Sequence, residues 1–293
     1  MFRALAAKLG FKTIPIQTVD DSASLRSRYP EHEFDDYFMR ERFACVVQIG
    51  STRYFAKPCT SLHEARKQLL ATNLAARYCN VSDATLPGPA MQRRLKRKLS
   101  GSIRDFGVAV HLLLVRVCQD YSVPDLKISD LTQAVAAELV LSTWINRRDA
   151  HNSNRFYVGG IPMFFDFDAA FAPDEEPTEF FRGGPDSGYV QNWRLMRVAE
   201  TDRIETSSIR DMERNKPLTL HPVSHAVKFW AHMDDYAAKI RSLDDRDIEG
   251  EVAAVFPDMN HRQEFSAFLA KERDRLETKL ARVRTIMETG AAV

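Results

Sequence analysis

Four side chains suited to proton transfer and cation binding lie close together in the sequence. Asp149 and Asn154 are separated by four residues, and Asp166 and Asp168 follow the apolar run 163–165. A carboxylate can accept the proton of a hydroxyl group. Carboxylate and amide oxygens are also the ligands that hard divalent cations prefer. The pattern therefore predicts a site that activates a hydroxyl group beside a bound cation.

The spacing from Asp149 to Asn154 is that of the catalytic loop of kinases, D-x-x-x-x-N. In that loop the Asp orients or accepts the proton of the substrate hydroxyl, and the Asn holds a magnesium ion. The spacing arises about once by chance in a chain of this composition, so a polar turn after a helix is the alternative interpretation. A predicted pair of short strands within 156–171 favours the catalytic interpretation, because it returns the chain to Asp166 beside the loop.

The sequence D-A-H-N-S-N at 149–154, followed by F-F-D-F at 164–167, resembles motifs of two kinase groups. These groups are the phosphoinositide 3- and 4-kinases and the bacterial HipA-like Ser/Thr kinases, which share an atypical kinase fold. The resemblance implies catalytic roles for Asp149 and His151, with His151 either assisting the chemistry or bracing the loop. It implies a magnesium-binding role for Asn154.

The same resemblance makes Asp166 a magnesium ligand. Ala150 stands where the lipid kinases have Arg, and it resembles the HipA-like kinases instead. Asp168 stands where a D-F-G motif has Gly, so either Asp166 or Asp168 is the principal metal ligand. Asp166 is preferred, because it follows the apolar strand directly.

Lys57 and Glu64 are predicted to act together on nucleotide phosphates. Lys57 lies in the second strand of a predicted hairpin at 43–57, which Pro58 is expected to end, and Glu64 begins a predicted helix at 62–78. A kinase uses such a Lys to grip the α- and β-phosphates, and a helix Glu orients it. The sequence F-A-K-P also resembles the same family. A strand-end Lys and a surface Glu are the alternative interpretation.

The phosphate loop is expected within 20–42, between a first predicted strand at 13–19 and the hairpin. This segment contains no glycine, whereas kinase phosphate loops use glycine so that backbone N–H groups can approach phosphates. Ser22 and Ser24 could donate hydroxyl groups instead. Their Ser-x-Ser spacing also resembles that of some HipA-like kinases that modify this loop. An ordinary polar loop is the alternative interpretation.

The predicted elements indicate an α+β protein with the two-lobed fold of protein kinases. Residues 1–120 are expected to form a β-rich N-lobe that carries Lys57, and residues 121–293 a mainly helical C-lobe that carries the catalytic loop. Further predicted elements are a buried strand within 107–118, a solvated basic connector at 93–98, a helix with one apolar stripe at 131–144 and an amphipathic helix at 264–287.

Composition sets limits on partners and location. The 293 residues include 41 Lys and Arg against 40 Asp and Glu, so the net charge is +1 and no global bias favours nucleic acid or membrane. Four cysteines without short spacing indicate free thiols rather than a zinc site. No signal-peptide core or membrane-spanning run is recognisable, which predicts a cytoplasmic protein. A secreted effector without a cleavable signal fits equally well.

The expected function is an ATP- and Mg²⁺-dependent phosphotransferase, a HipA-like protein Ser/Thr kinase with a protein substrate. One alternative is a lipid or small-molecule kinase of phosphoinositide-kinase-like fold. Another is a nucleotide-binding pseudokinase that acts as an interaction module, which the glycine-free segment 20–42 motivates. An antitoxin-like regulatory partner is kept open.

Overall fold

The computed structural model describes residues 16–19, 46–99, 111–117, 120–147, 155–172, 196–199, 203–206, 219–222 and 226–289. Strands in these residues are β1 (Ile16–Val19), β2 (Val46–Ile49), β3 (Thr52–Cys59), β4 (Ala84–Thr85), β5 (His111–Arg116), β6 (Arg155–Val158), β7 (Ile161–Phe164), β8 (Met196–Ala199), β9 (Arg203–Thr206) and β10 (Thr219–Pro222). The α-helices in the same residues are α1 (Leu62–Tyr78), α2 (Pro89–Leu99), α3 (Leu131–Trp144), α4 (Ala226–Arg241), α5 (Asp245–Val255) and α6 (Met259–Thr289). The predicted α+β class is confirmed.

Residue contacts divide the chain into two compact units. The first comprises Met1–Ala65 and Ala84–Asp120, and the second comprises Arg66–Asp83 and Tyr121–Val293. In the part of the chain that the structure describes, no helix is long and apolar enough to cross a membrane.

The first unit contains a five-stranded antiparallel sheet in the order β1-β2-β3-β5-β4. The predicted hairpin is present as β2 and β3, joined by a turn in which Gly50 has a φ of 65°. Pro58 was expected to end the second strand, and this is wrong, because β3 continues to Cys59. The Arg53 carbonyl accepts the Val117 N–H, so Arg53 points its main-chain polar groups at β5. These groups alternate in direction along a strand, so the nitrogen of Pro58, five residues later, points away from β5. The described pairing with β2 ends at Phe55, so Pro58 removes no bond from it.

Helix α2 lies where a solvated connector was expected at 93–98. Pro89 opens the helix, where its fixed φ suits the first turn, and long basic side chains have good helix propensity. Leu95 is fully buried beside Ala56 and Leu112, and the partly buried Met91 packs against the same cluster, so two apolar side chains anchor this basic helix. The sequence did not predict this helix, because a run of basic residues is typical of a solvated connector.

The second unit has one large apolar core, formed mainly by α1, α3, α4, α5 and α6. Helix α3 was expected to show one apolar stripe, but it is buried on nearly every side. It begins at the N-cap Asp130, whose carboxylate accepts the Gln133 N–H at 2.7 Å. Near its end, the indole N–H of Trp144 donates to the carbonyl of Leu269 in α6 at 3.0 Å. Helix α3 is therefore the central element of this unit.

The predicted strand pair is present as the β6–β7 hairpin, which turns through Gly159 and Gly160 with φ values of 59° and 83°. A Cβ atom at Gly159 would clash with the Cγ2 atom of Val123, so this turn admits only glycine without a shift. The far end of β7 is held by main-chain bonds. The Phe164 N–H donates to the Asn80 carbonyl at 2.8 Å, and the Phe164 carbonyl accepts the Ser82 N–H at 3.0 Å.

Candidate functional site

The structure describes four of the nine predicted site residues: Lys57, Glu64, Asp166 and Asp168. The other five lie outside the described residues, and their roles stay predictions: Ser22, Ser24, Asp149, His151 and Asn154. The described geometry nevertheless reaches Arg147, two residues before Asp149, and it brings Arg147 to the backbone of Asp166.

Helix α3 ends at Trp144, and the next two residues, Ile145 and Asn146, form its C-terminal cap before the predicted catalytic loop. Ile145 is the C-cap, and Asn146 has a φ of 48°, in the left-handed region. The Arg147 N–H donates back to the Ser142 carbonyl at 2.9 Å, which is the bond that closes a Schellman motif. Asn is tolerated in this conformation because its short polar side chain can hydrogen-bond locally. The chain therefore leaves the helix in a fixed direction at Arg147.

The guanidinium of Arg147 joins this helix end to the segment after β7. Its side chain is fully buried, and its Nη2 atom donates to the carbonyls of Phe165 and Asp166, each at 2.9 Å. Its Nη1 atom lies 3.4 Å from the Oε1 atom of Glu138, which is also buried. The Cζ atom lies 4.4 Å from the centre of the Phe167 ring. A planar, multidentate cation suits this arrangement in a way that Lys would not.

Three described residues other than glycine have positive φ, and all three lie where α3 meets the segment 165–171. They are Asn146, Asp166 at 59° and Phe171 at 55°. The Phe171 N–H donates to the Ile145 carbonyl at 2.7 Å. Positive φ is unusual for residues other than glycine and a true outlier for a bulky one. Such strain persists only where the surroundings impose it, and it is typical of functional sites.

Packing around Phe171 supplies that constraint. Its ring lies edge-on against the rings of Phe265 and Phe268 of α6, with centroid distances of 5.3 and 5.7 Å. Edge-to-face aromatic pairs are favourable beyond the area that they bury. The segment that carries Asp166 and Asp168 is thus bound to α3 by hydrogen bonds and to α6 by aromatic contacts.

Asp166 and Asp168 are the two acids of this segment, and their magnesium-binding role stays a prediction. Asp166 is 7% exposed, whereas Asp168 is half-buried. Mg²⁺ is usually held by one or two carboxylates together with phosphate oxygens and water, so these two side chains would suffice as protein acids. Among the described residues, no group of three or more His, Cys, Asp and Glu side chains could hold a metal ion. The described residues therefore do not by themselves form a metal site with three or more protein ligands of these types.

Cys79 borders the buried pair of Glu138 and Arg147 and is itself a buried free cysteine. Burial raises the pKa of its thiol well above the usual value, and the negative charge of Glu138 raises it further. The positive charge of Arg147 acts in the opposite direction but is a smaller cause. A thiol that stays protonated at neutral pH is a poor nucleophile, so Cys79 has a packing role here.

Lys57 lies on β3 opposite Leu113 of β5, which agrees with the strand position that the sequence predicts. It is only 5% exposed. A buried ammonium group needs anionic or polar partners. Both the nucleotide contact and the ion pair with Glu64 stay predictions.

Glu64 has a local role that the sequence analysis did not assign. Its main-chain N–H donates to the Ser61 hydroxyl at 3.0 Å. Its carboxylate accepts the N–H and the hydroxyl of Thr60, both at 2.5 Å. The Ser61 hydroxyl thus caps the Glu64 N–H in the first turn of α1, while the Glu64 carboxylate holds Thr60, the residue before the N-cap. Glu64 therefore fixes the first turn of the helix, whatever further contact it makes.

Arg147 and Glu138 are the site residues that the sequence analysis missed. Glu138 is the one ionisable residue of α3, in the sequence LTQAVAAELVLSTW. A lone acid in an otherwise uncharged, largely apolar helix must find a partner if the helix is buried, and this signal was available. Arg147 follows the helix by three residues. Nothing in its local sequence indicates that its side chain reaches residues 165 and 166.

No protein-family model matches this chain, and no curated protein sequence matches it. A solved structure that is similar to the chain is that of CtkA, a proinflammatory kinase of Helicobacter pylori. The TM-score is 0.41 over 84% of this chain and 92% of that chain, at 10% sequence identity. This likeness suggests at most a kinase-like fold, and at such a score it adds no weight to any function.

Proposed function

We propose that this chain is an ATP- and Mg²⁺-dependent phosphotransferase, and specifically a protein Ser/Thr kinase of HipA-like type. The observation that supports this best is the hydrogen bonding of Arg147 to the carbonyls of Phe165 and Asp166. Arg147 stands two residues before Asp149, so this contact ties the approach to the D-A-H-N-S-N loop to the acid that follows β7. A kinase needs that adjacency, because the residue that orients the hydroxyl must act beside the metal-bound phosphates.

The proposal assigns a task to each predicted site residue. Asp149 orients the acceptor hydroxyl and accepts its proton, while His151 assists or braces the loop. Asn154 and Asp166 would hold the magnesium ion, with Asp168 as the alternative carboxylate. A bound magnesium ion supplies positive charge that neutralises the phosphate oxygens during transfer.

The N-lobe of the proposed kinase carries the phosphate contacts. Lys57 binds the α- and β-phosphates, Glu64 orients it, and the hydroxyl groups of Ser22 and Ser24 replace the missing glycine loop. The proposal includes the two-lobed kinase arrangement, with 1–120 as N-lobe and 121–293 as C-lobe. Ala150 favours a protein hydroxyl as acceptor, because it resembles the HipA-like kinases rather than the lipid kinases.

The test compares the wild type with Asp149→Ala. Both proteins are incubated with labelled ATP and Mg²⁺, alone and with a proteome extract, and phosphate on protein is located by mass spectrometry. ATP binding is measured separately by calorimetry. We expect equal ATP affinity and a loss of transfer of about two to four orders of magnitude, since a general base is removed. Asp274→Ala removes a surface acid of α6 and serves as the matched control.

The outcomes separate the three classes of function. Transfer to protein by the wild type and not by Asp149→Ala supports the proposal. Transfer to a lipid or small-molecule hydroxyl alone would replace the protein substrate. A wild type that binds ATP but transfers nothing to any acceptor would be a pseudokinase, and a fully active Asp149→Ala would overturn the mechanism.

A further inference from the structure

A buried ion pair on α6 contacts the end of α3. Glu272 is fully buried and Lys279 is 7% exposed. The ammonium group of Lys279 donates to the Glu272 carboxylate and to the side-chain oxygen of Asn146, the latter at 2.6 Å. Arg275, 30% exposed, lies at the outer side of the pair, with its Nη1 atom 3.4 Å from the Oε1 atom of Glu272. The group that Lys279 holds is thus the left-handed residue that ends α3.

A buried ion pair is a poor device for stability alone. Taking both charges out of water is costly, and well-packed apolar residues of similar volume often stabilise a core as well or better. Buried polar groups can instead select one arrangement among several, which is their best-attested use. Here the polar group adds a directional bond to Asn146, whose left-handed conformation is unusual for a residue other than glycine.

The bond to Asn146 is the first step of a continuous series of contacts. Asn146 sets the direction in which the chain leaves α3, and the next residue, Arg147, donates to the carbonyl of Asp166. Asp166 in turn keeps its own left-handed conformation. We propose that Lys279, held by Glu272, is a positioning residue for the phosphoryl transfer, acting through Asn146 and Arg147 on Asp166. This inference rests on the proposed function for its catalytic part.

The test removes the pair as a unit, so that no buried charge is left alone. In Glu272→Gln/Lys279→Met, we expect kcat to fall about 10- to 100-fold, because a displacement of about 1 Å at a site can cost that much. The KM for ATP should stay within about twofold, since no phosphate contact changes. The Mg²⁺ concentration for half-maximal transfer should rise, since Asp166 is less well placed.

Rescue distinguishes positioning from packing. Glycine adopts positive φ without a side-chain anchor, so adding Asn146→Gly to the double variant should recover most of the lost kcat. A role in packing alone would not respond to that change. Should the double variant fail to fold, Asn146→Ala leaves the pair in place and removes only the anchored amide, and we expect the same loss of kcat.

Hydrogen exchange provides a readout that needs no transfer activity. In the double variant, exchange should accelerate in peptides covering 143–147 and 165–171, and much less elsewhere. The control variant Asp235→Asn/Lys239→Met removes an exposed ion pair of α4 and should change neither exchange nor kcat. Unchanged exchange at both segments, or a loss of kcat that Asn146→Gly does not restore, would overturn the positioning role. If the wild type transfers no phosphate, the proposed function fails, while the exchange comparison alone still decides whether the pair holds this junction.

Discussion

The Nη2 atom of Arg147 lies 2.9 Å from the carbonyl oxygen of Asp166, although 19 positions separate the two residues. The same guanidinium faces Glu138, nine positions earlier in α3. One buried cation therefore connects the core of a helix, its exit and the acid after β7. The properties of this contact can be tested separately from any activity.

We expect Arg147→Met to destabilise the second unit by about 3–5 kcal/mol, because it leaves the Glu138 carboxylate buried without its partner. The double variant Arg147→Met/Glu138→Gln should recover at least about 1 kcal/mol of that loss, since no charge remains buried. Urea unfolding followed by tryptophan fluorescence measures both values. Arg241→Met breaks an exposed pair with Glu277 and should cost less than about 1 kcal/mol. Equal losses for the single and double variants would contradict the buried-pair interpretation.

Asp166 allows its backbone and its carboxylate to be tested apart. Asp166→Asn keeps a side chain that tolerates positive φ, so the free energy of unfolding should change by less than about 1 kcal/mol. Asp166→Val places a β-branched residue at a φ of 59° and should cost about 1–2 kcal/mol more than Asn. Mg²⁺-dependent transfer should be lost in both variants.

The matched comparison for the metal is Asp168→Asn. The variant with the larger loss of Mg²⁺-dependent transfer identifies the principal ligand, which we expect to be Asp166. Full transfer by Asp166→Asn at low Mg²⁺ would remove Asp166 from the metal site.

Lys57→Met replaces a buried ammonium by an apolar side chain of similar length. We expect the affinity for ATP to fall by about tenfold or more, since a charge-assisted contact to phosphate is lost. The fold should stay intact, because methionine fills a similar volume in the same buried place. Calorimetry and urea unfolding measure these effects, and Lys228→Met, an exposed residue of α4, is the control. Unchanged ATP affinity together with unchanged activity would exclude Lys57 from the site.

The thiol of Cys79 makes stability depend on alkaline pH. Burial and the nearby Glu138 raise its pKa in the folded protein, whereas the unfolded chain loses this proton near about pH 8.5. Its contribution to stability is therefore complete below about pH 8 and is lost as the pH rises above about 8.5. The free energy of unfolding should fall less steeply between about pH 8.5 and 10 in Cys79→Ala than in the wild type, by up to about 1.4 kcal/mol per pH unit. Parallel curves would show that the thiol does not couple to folding.

Much of the fold could be predicted from residues that are neighbours in sequence. Helix α1 has the predicted bounds 62–78, because Ser61 and Glu64 form an N-terminal cap and apolar residues recur at helical spacing. The β6–β7 hairpin was also predicted, because two short β-like runs flank the Gly159–Gly160 turn. In each case the structure-forming residues are neighbours in sequence.

The site depended on contacts that no local pattern encodes. The bonds from Arg147 to residues 165 and 166 require the packing of α3 against the β6–β7 hairpin. The left-handed Phe171 is held by its bond to Ile145 and by ring contacts with α6. Helix α2 was missed for a related reason. Among its side chains with described burial only Leu95 is fully buried, which gives too weak a periodicity against five basic residues. The motif predicted which residues could do chemistry, whereas the contacts that hold them in place are visible only in the structure.

The contact between Trp144 and Leu269 spans 125 residues, and it has a consequence for the order of events during synthesis. At about 5–20 residues per second, the ribosome needs about 6–25 seconds to make that stretch. During this time α3 has already been synthesised, but the apolar face of α6 that packs against it has not. The first unit has all its described strands by then, whereas in the second the side of the central helix that faces α6 stays uncovered. A chaperone that recognises apolar helices would therefore bind the nascent chain between the completion of α3 and the arrival of α6.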